Sequence, residues 1–292
     1  MSRLGAAMKT IIGLLIVPTC VIGGFLLHHG QLALLFVPTE YLIIVGCLVG
    51  AMVIKNPGHV LKSIVGSLVR LFSGIAPGRA QYVELLQMLY ELLQLARKES
   101  PMALEAHSDD PQGSSIISKY PSFLKRQHAV AFLCDSLKLV VEGRMAPHVA
   151  DELLERDLEA IHHEEMEPSE ALGNAADSLP AIGIVAAVLG IILTMSALDE
   201  GAATVGEKVA GALVGTFLGV FLAYGFVGPL AGAVAASAQA MDRYLQCIRH
   251  VLVASMSGMV PTTAVEVGRR NIAPCDRPSF PELDEAVRAV KR

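Results

Sequence analysis

VAGALVGTFLGVFLAYGFVGPLAGAVAASAQAM, residues Val209 to Met241, contains no charged side chain. As a helix this run would be roughly 50 Å long, against about 30 Å of bilayer hydrocarbon. It is therefore expected to cross a membrane and to tilt or project beyond it. Gly211, Gly215 and Gly219 recur every four residues, a stripe along one helix face. Such a stripe lets a second helix approach closely. Pro229 lies well inside the run, where it removes one backbone donor and kinks the helix.

Three further stretches have the length and composition of a span: about Thr10 to Leu27, about Leu35 to Ile54, and Leu179 to Leu198. The first contains Pro18, expected to kink it. It reads as a retained helix, because a short loop leads straight to the second span and no small-x-small cleavage site precedes that loop. The third carries Gly183, Ala187 and Gly190 at helical spacing, a face like that of the fourth, and Pro180 stands at its start as a first-turn proline would. Composition agrees. Of 292 residues, 53% are apolar and only 17% charged, against about 25% charged in soluble domains. A disordered chain, a fibrous repeat and an ordinary soluble enzyme are excluded. The expected fold is all-α: a polytopic membrane protein with four transmembrane helices and a large helical cytoplasmic domain.

Basic residues set the orientation. No Lys or Arg occurs from His28 to Tyr41, and the loop from Asp199 to Lys208 holds only Lys208. The segment from Lys55 to Asp177 carries 12 Lys and Arg and the tail after Asp242 carries 8. Both termini and the long middle segment are thus expected in the cytoplasm. The expected organisation is residues 1–54 as spans one and two, 55–178 as a cytoplasmic helical domain, 179–235 as spans three and four, and 236–292 as a cytoplasmic helical tail. Within the insert, apolar residues at three- and four-residue steps predict helices over Val83–Glu99, His128–Gly143 and about Pro147–Met166, with Gly143 as a C-terminal cap. The last of these is acidic, with 9 Asp or Glu against one Arg between Asp151 and Glu170, and reads as a solvated face. PELDEAVRAVKR at the end has Pro281 at a helix start, acids in the first turn and bases in the last, which complements the helix dipole.

The net charge of −5 offers no basic excess for nucleic acid. Five scattered cysteines suggest neither a disulfide framework nor a zinc site, and the adjacent His162 and His163 point to different helix faces. No metal or cofactor is expected. No phosphate loop, G-x-S-x-G or H-E-x-x-H motif is present, so an enzyme has little support. Spans two to four hold no acid or base except at their boundaries, whereas ion pathways use intramembrane charge. Their polar groups are Thr194, Ser196, Thr216 and Tyr224. If the protein moves an ion, the titrating carboxylate must come from a partner chain.

The run ALVGTFLGVFLAYGFVGP, Ala212 to Pro229, with its Gly-Thr pair, Gly219 and the later proline, resembles the signature of the bacterial flagellar stator subunit family MotA. DSLPAIGIVAAVLG, Asp177 to Gly190, looks like that family's third span, and RPSFPELDEAVRAVK, Arg277 to Lys291, like its tail. The resemblance covers essentially the whole chain. It implies a homopentamer around single-span MotB-like partners, ion flow coupled to rotation, and torque on the rotor switch protein FliG. It implies rotor contacts at Arg97 and Glu105, family prolines at Pro180 and Pro229, and an ion-path threonine at Thr216. Ala187 stands where sodium-driven members tend to carry a hydroxyl, which implies protons. The Gly- and Ala-lined faces of spans three and four would then offer the partner a smooth surface to slide over. The alternative is an ExbB/TolQ-like subunit energising an outer-membrane transducer, though two amino-terminal spans argue against it. A structural scaffold would explain the glycines but not Pro229.

Overall fold

The computed structural model describes residues 3–73, 77–143, 145–196, 199 and 201–290, with side chains from residue 8 onward. All regular structure among the described residues is helical. In chain order the helices are α1 (Arg3–Leu27), α2 (Pro38–Lys55), α3 (Gly58–Phe72), α4 (Arg79–Lys98), α5 (Glu105–Asp109), α6 (Pro121–Leu124), α7 (Gln127–Glu142), α8 (Pro147–Met195), α9 (Ala202–Leu222), α10 (Gly228–Met256), α11 (Pro261–Asn271) and α12 (Phe280–Val290). A π-helical turn, Ala223–Val227, joins α9 to α10. Among the described residues, four segments are long and apolar enough to cross a membrane: Met8–Leu27, Leu32–Lys55, and stretches within Pro147–Met195 and Ala202–Met256.

The chain forms two compact units. One comprises Ala76–Glu165 and Ala238–Arg292, the other Ser2–Ile75 and Met166–Ser237. The helices α8 and α10 each contribute to both.

The first unit is built on α4. Tyr82, Leu85, Leu86, Met88, Leu89, Tyr90, Leu92 and Leu93 are all buried, so the helix is covered on most of its circumference. Tyr244, Ile248, Val251 and Leu252 of α10 and Ala264 and Val265 of α11 complete the core, with Leu283 and Val287 of α12. Caps fix the helix ends. The Gly78 N–H donates to Gln81 Oε1 at 2.9 Å, and α7 ends at Gly143 in the left-handed conformation (φ 60°), as its cap reading requires. At α12 the Ser279 N–H donates to Glu282, whose carboxylate also pairs with Arg79 and is held at about 2.

The second unit contains the apolar spans. In α3, an amphipathic helix with no counterpart in the sequence reading, Val60 and Ile64 pack on Ala171 and Leu172 of α8 and on Ala231 and Val234 of α10. The Ser169 hydroxyl donates to the Ala231 carbonyl at 2.9 Å, tying α8 to α10 inside this unit. A second cluster joins Ile44 of α2, Leu179 and Ala186 of α8, Leu218 of α9 and Ala223.

Two expectations change here. The acidic helix and the third span are one uninterrupted helix of 49 residues, and Pro168 and Pro180 lie inside it. Pro180 is therefore no first-turn proline, and the span does not begin there as a separate helix. Pro18 lies inside the α1 helix.

Candidate ion path and contact surface

In the membrane unit α8 and α9 approach each other at backbone distance. A Cβ built on Gly219 would stand 2.6 Å from the Leu179 carbonyl oxygen and 2.9 Å from Gly183 Cα; one on Gly183 would stand 2.8 Å from the Gly215 oxygen. One on Gly190 would meet Ala212 Cα at 3.0 Å. Each obstacle is backbone, which cannot turn aside. The seam thus runs Ala212, Gly215, Gly219 on α9 against Gly183, Ala186, Ala187, Gly190 on α8. Gly211 is not part of it: its Cβ would be in ordinary contact with Val37 Cγ2 at 3.9 Å. A stripe at strict four-residue steps drifts around a 3.6-residue helix, and Ala212 replaces Gly211 on the contacting face.

Into this seam projects a carboxylate. Glu40, in the first turn of α2, is only 4% exposed. A Cβ on Gly215 would stand 2.5 Å from Glu40 Oε2 and 3.1 Å from the Ala187 nitrogen, and one on Gly190 would stand 3.4 Å from Glu40 Oε1. Gly215 makes the notch that admits the acid, and Gly190, which lets Ala212 approach, borders it. Glu40 Oε2 is buried without a hydrogen-bond partner. The expectation that spans two to four contribute no interior acid is corrected here. Glu40 lies at a span boundary by position in sequence, but its side chain reaches inward to the level of Ala187. It borders a cavity of about 610 Å³, also lined by Thr204, Glu207 and Lys208 of α9 and by Ser196.

The other residues proposed from the sequence fall as follows. Ala187 is buried in the seam. Thr216 follows Gly215 on α9 and is half-buried; Pro180 is half-buried and follows Leu179, whose carbonyl faces Gly219. Pro229 is exposed and lines a separate cavity of about 330 Å³ with Lys9, Gly13, Val17 and Gly225. The structure therefore does not gather Pro180, Ala187, Thr216 and Pro229 into one cavity. The kink expected at Pro229 takes a specific form. The π turn precedes it, and the Gly228 N–H reaches back five residues to the Ala223 carbonyl. A wider turn accommodates the ring that would otherwise press on the preceding turn. Thr194 bonds back to the Gly190 carbonyl at 2.8 Å, as a span hydroxyl usually does.

In the first unit Arg97, in the last turn of α4, and Glu105, at the start of α5, are both exposed. The segment following α5 is anchored by buried Ser114. Its hydroxyl oxygen accepts the N–H groups of Ile116 and Ile117 at 3.3 and 3.0 Å and lies 2.6 Å from His107 Nδ1. Burial lowers the His107 pKa, with the Glu99 carboxylate opposing. The neutral imidazole can then accept the Ser114 proton. No group of three or more His, Cys, Asp or Glu that could hold a metal occurs among the described residues.

Four apolar spans, a glycine seam with an acid in its notch, and a proline-induced π turn define a multi-pass helical membrane protein built for tight helix packing around intramembrane polar chemistry. Residues 11–100 match the family model described as Motility protein A N-terminal, and residues 125–246 match the MotA/TolQ/ExbB proton channel family. The chain is 37% identical over 284 residues to Motility protein A of Escherichia coli K12, covering 97% of this chain and 96% of that protein. It is 36% identical over 278 residues to Chemotaxis protein LafT of Vibrio parahaemolyticus, covering 95% and 98%. The solved structure of C. jejuni MotAB superposes with a TM-score of 0.76 over 94% of this chain and 99% of that one, at 19% identity, a likeness of fold. The chain belongs to the motility protein A family.

Proposed function

We propose that this chain is the stator subunit of a flagellar motor. With a single-span MotB-like partner it forms a transmembrane proton path and converts ion flow into torque. The observation that carries this reading is the near-full-length identity of 37% to a motility protein A. Solved relatives described as MotAB, one of them the flagellar stator complex of Bacillus subtilis, support a partner chain and self-assembly. Five copies around the partner, both termini in the cytoplasm of the inner membrane, and contact with FliG through Arg97 and Glu105 complete the proposal. The transported ion is H⁺, on the strength of Ala187, and the chain is a transducer of ion flow rather than an enzyme or a cofactor protein. Pro180, Thr216 and Pro229 flank the path. Exposed charge contacts are individually weak and screened by salt, so Arg97 and Glu105 act with neighbours. The match of residues 11–100 to the motility-specific model favours a stator over an ExbB/TolQ-like transducer subunit.

The test is co-expression with the MotB-like partner in a stator-null strain, with swimming followed as external pH and sodium vary. Rescue that persists without sodium and collapses with the proton motive force supports the proposal. A sodium requirement removes the argument from Ala187, and failure of a correctly inserted, partner-bound complex to rescue overturns the stator reading. Pro229→Leu separates motor from scaffold. The complex is expected to assemble but to lose torque, whereas a scaffold would tolerate the change.

A further inference from the structure

We propose that Glu40 is a proton-loading site: a carboxylate that takes one proton from the cavity at the short-loop end of the membrane unit and hands it on toward the partner's acid. The inference rests on the stator reading and adds a titrating group contributed by this chain. Three observations carry it. Glu40 is 96% removed from solvent, and its Oε2 has no hydrogen-bond partner. An unpaired intramembrane acid is costly to keep unless it has a use. The notch fits the acid closely at Gly215, where a methyl group would stand 2.5 Å from Oε2; at Gly190 a methyl group would only touch Oε1, at 3.4 Å. A cavity of about 610 Å³ reaches the acid and gives water a route to it.

The chemistry of the notch selects the ligand. The position a Gly215 Cβ would take against Oε2 is also bounded by the Ala187 nitrogen and Ala186 Cβ, neither an oxygen, while the hydroxyls of Thr39, Ser196 and Thr204 line the wider cavity. A bare metal cation takes several oxygen ligands, whereas a proton needs one base. Of the charged groups lining the cavity, Glu207 and Lys208 of α9 join Glu40; α8 and residues 33–37 contribute none among the described lining residues. The step balances simply. A hydronium in the cavity gives its proton to a carboxylate oxygen and leaves as water, and the acid later releases the proton to a partner carboxylate, which restores the anion. The Ala187 nitrogen lies beside the same notch, so the residue read as discriminating between ions and the proposed loading acid occupy one place.

Glu40→Gln keeps the shape and cannot cycle a proton. Two measurements on the complex with its partner test it. In infrared difference spectra after a pH step, wild type should show a carboxylic-acid carbonyl band that Glu40→Gln lacks; an unchanged band overturns the proposal. In single-motor recordings resolved to individual stator units, low-load speed per unit should fall by at least about threefold, with the loss growing as external pH rises, while torque near stall is kept. Unchanged speed, or an equal loss at all loads, overturns the loading role and leaves a positioning residue. If Gln prevents assembly, Glu40→Asp must rotate with an altered dependence on external pH; a wild-type dependence overturns the proposal. Failure of the wild-type chain to turn any motor counts against the stator reading instead.

Discussion

Replacing Gly219 with alanine tests the seam between α8 and α9 directly. The new methyl carbon would stand 2.6 Å from the Leu179 oxygen, 2.9 Å from Gly183 Cα and 3.2 Å from Gly183 N. Carbon atoms pack at about 3.5–4.0 Å, so the two helices must part by roughly 1 Å. A gap of that size forfeits about a quarter to a half of each attractive well, and it opens along a seam that also buries Ala186 and Leu218. Overpacking of this kind costs about 1–3 kcal/mol, or about a 5- to 150-fold change in the folded-to-unfolded ratio. Gly211→Ala is the control, because its Cβ meets only Val37 Cγ2, at 3.9 Å. Its expected effect is near zero. The assay is thermal unfolding of the detergent-solubilised complex, followed by circular dichroism and size-exclusion chromatography. Gly183→Ala should resemble Gly219→Ala, and the double substitution should cost less than the sum, since either methyl alone parts the same helices. Equal midpoints for Gly219→Ala and Gly211→Ala would refute the argument.

Two predictions concern the first unit. Arg269 and Arg270 hold the Glu266 carboxyl at about 2. Its folded value lies below the ordinary 4.5, so its stabilisation is full above that ordinary value and is lost as pH falls toward about 2. After allowance for solvent screening this amounts to roughly 1–2 kcal/mol. In urea unfolding, Glu266→Gln should be less stable than wild type at neutral pH by that amount, and the difference should shrink as the pH is lowered to about 3. A difference independent of pH would remove the ion-pair account. Arg249, with a side chain 8% exposed, binds Asp151 at 2.6 Å and Glu155 at 3.3 Å. Arg249→Met keeps the buried stem but leaves two acids together on α8, at an expected cost of about 1–2 kcal/mol. Adding Asp151→Asn should recover part of it, and recovery of nothing in a thermal melt would show that packing rather than charge decides.

The spans were legible because apolar composition over about 20 residues has few other uses. The cap at Gly143 was legible because an apolar helical pattern stops there. Other features were less accessible for identifiable reasons. The acidic stretch and the third span read as two helices because their solvents differ, yet backbone hydrogen bonding carries on through both, and a proline inside a helix removes only one donor. Val60, Ile64 and Leu68 carried a helical period that would have revealed α3. Glu40 was passed over because its position in sequence is peripheral. Only the tertiary structure shows that a long side chain in the first turn of α2 meets Gly215 of another helix, where a Cβ would exclude it. Gly211 failed in the opposite way, matching the stripe by spacing while rotated off the seam.

The placement of the glycines also changes how the proposed rotation can work. The smooth Gly- and Ala-lined faces were expected to meet the partner, but they are consumed within the chain, locking α8 against α9 at backbone distance. The large apolar residues that α8 and α9 leave exposed include Ile184, Val185, Val188, Leu213, Phe217 and Val220. The apolar surface they present is branched and aromatic rather than smooth. At a driving force of about 100 mV one proton supplies roughly 2.3 kcal/mol. The attraction between two touching carbon atoms is worth only about 0.1–0.2 kcal/mol, so one proton covers the simultaneous parting of about 10–20 atom pairs. Such a face has no hydrogen bonds to break, and the attraction given up at one knob is restored at the next. Low barriers can thus come from many weak, non-directional attractions, while the glycine seam keeps each subunit stiff enough to pass the step on. On this account enlarging an exposed residue such as Val188 should slow rotation without destabilising the chain, whereas enlarging Gly219 should lower its stability.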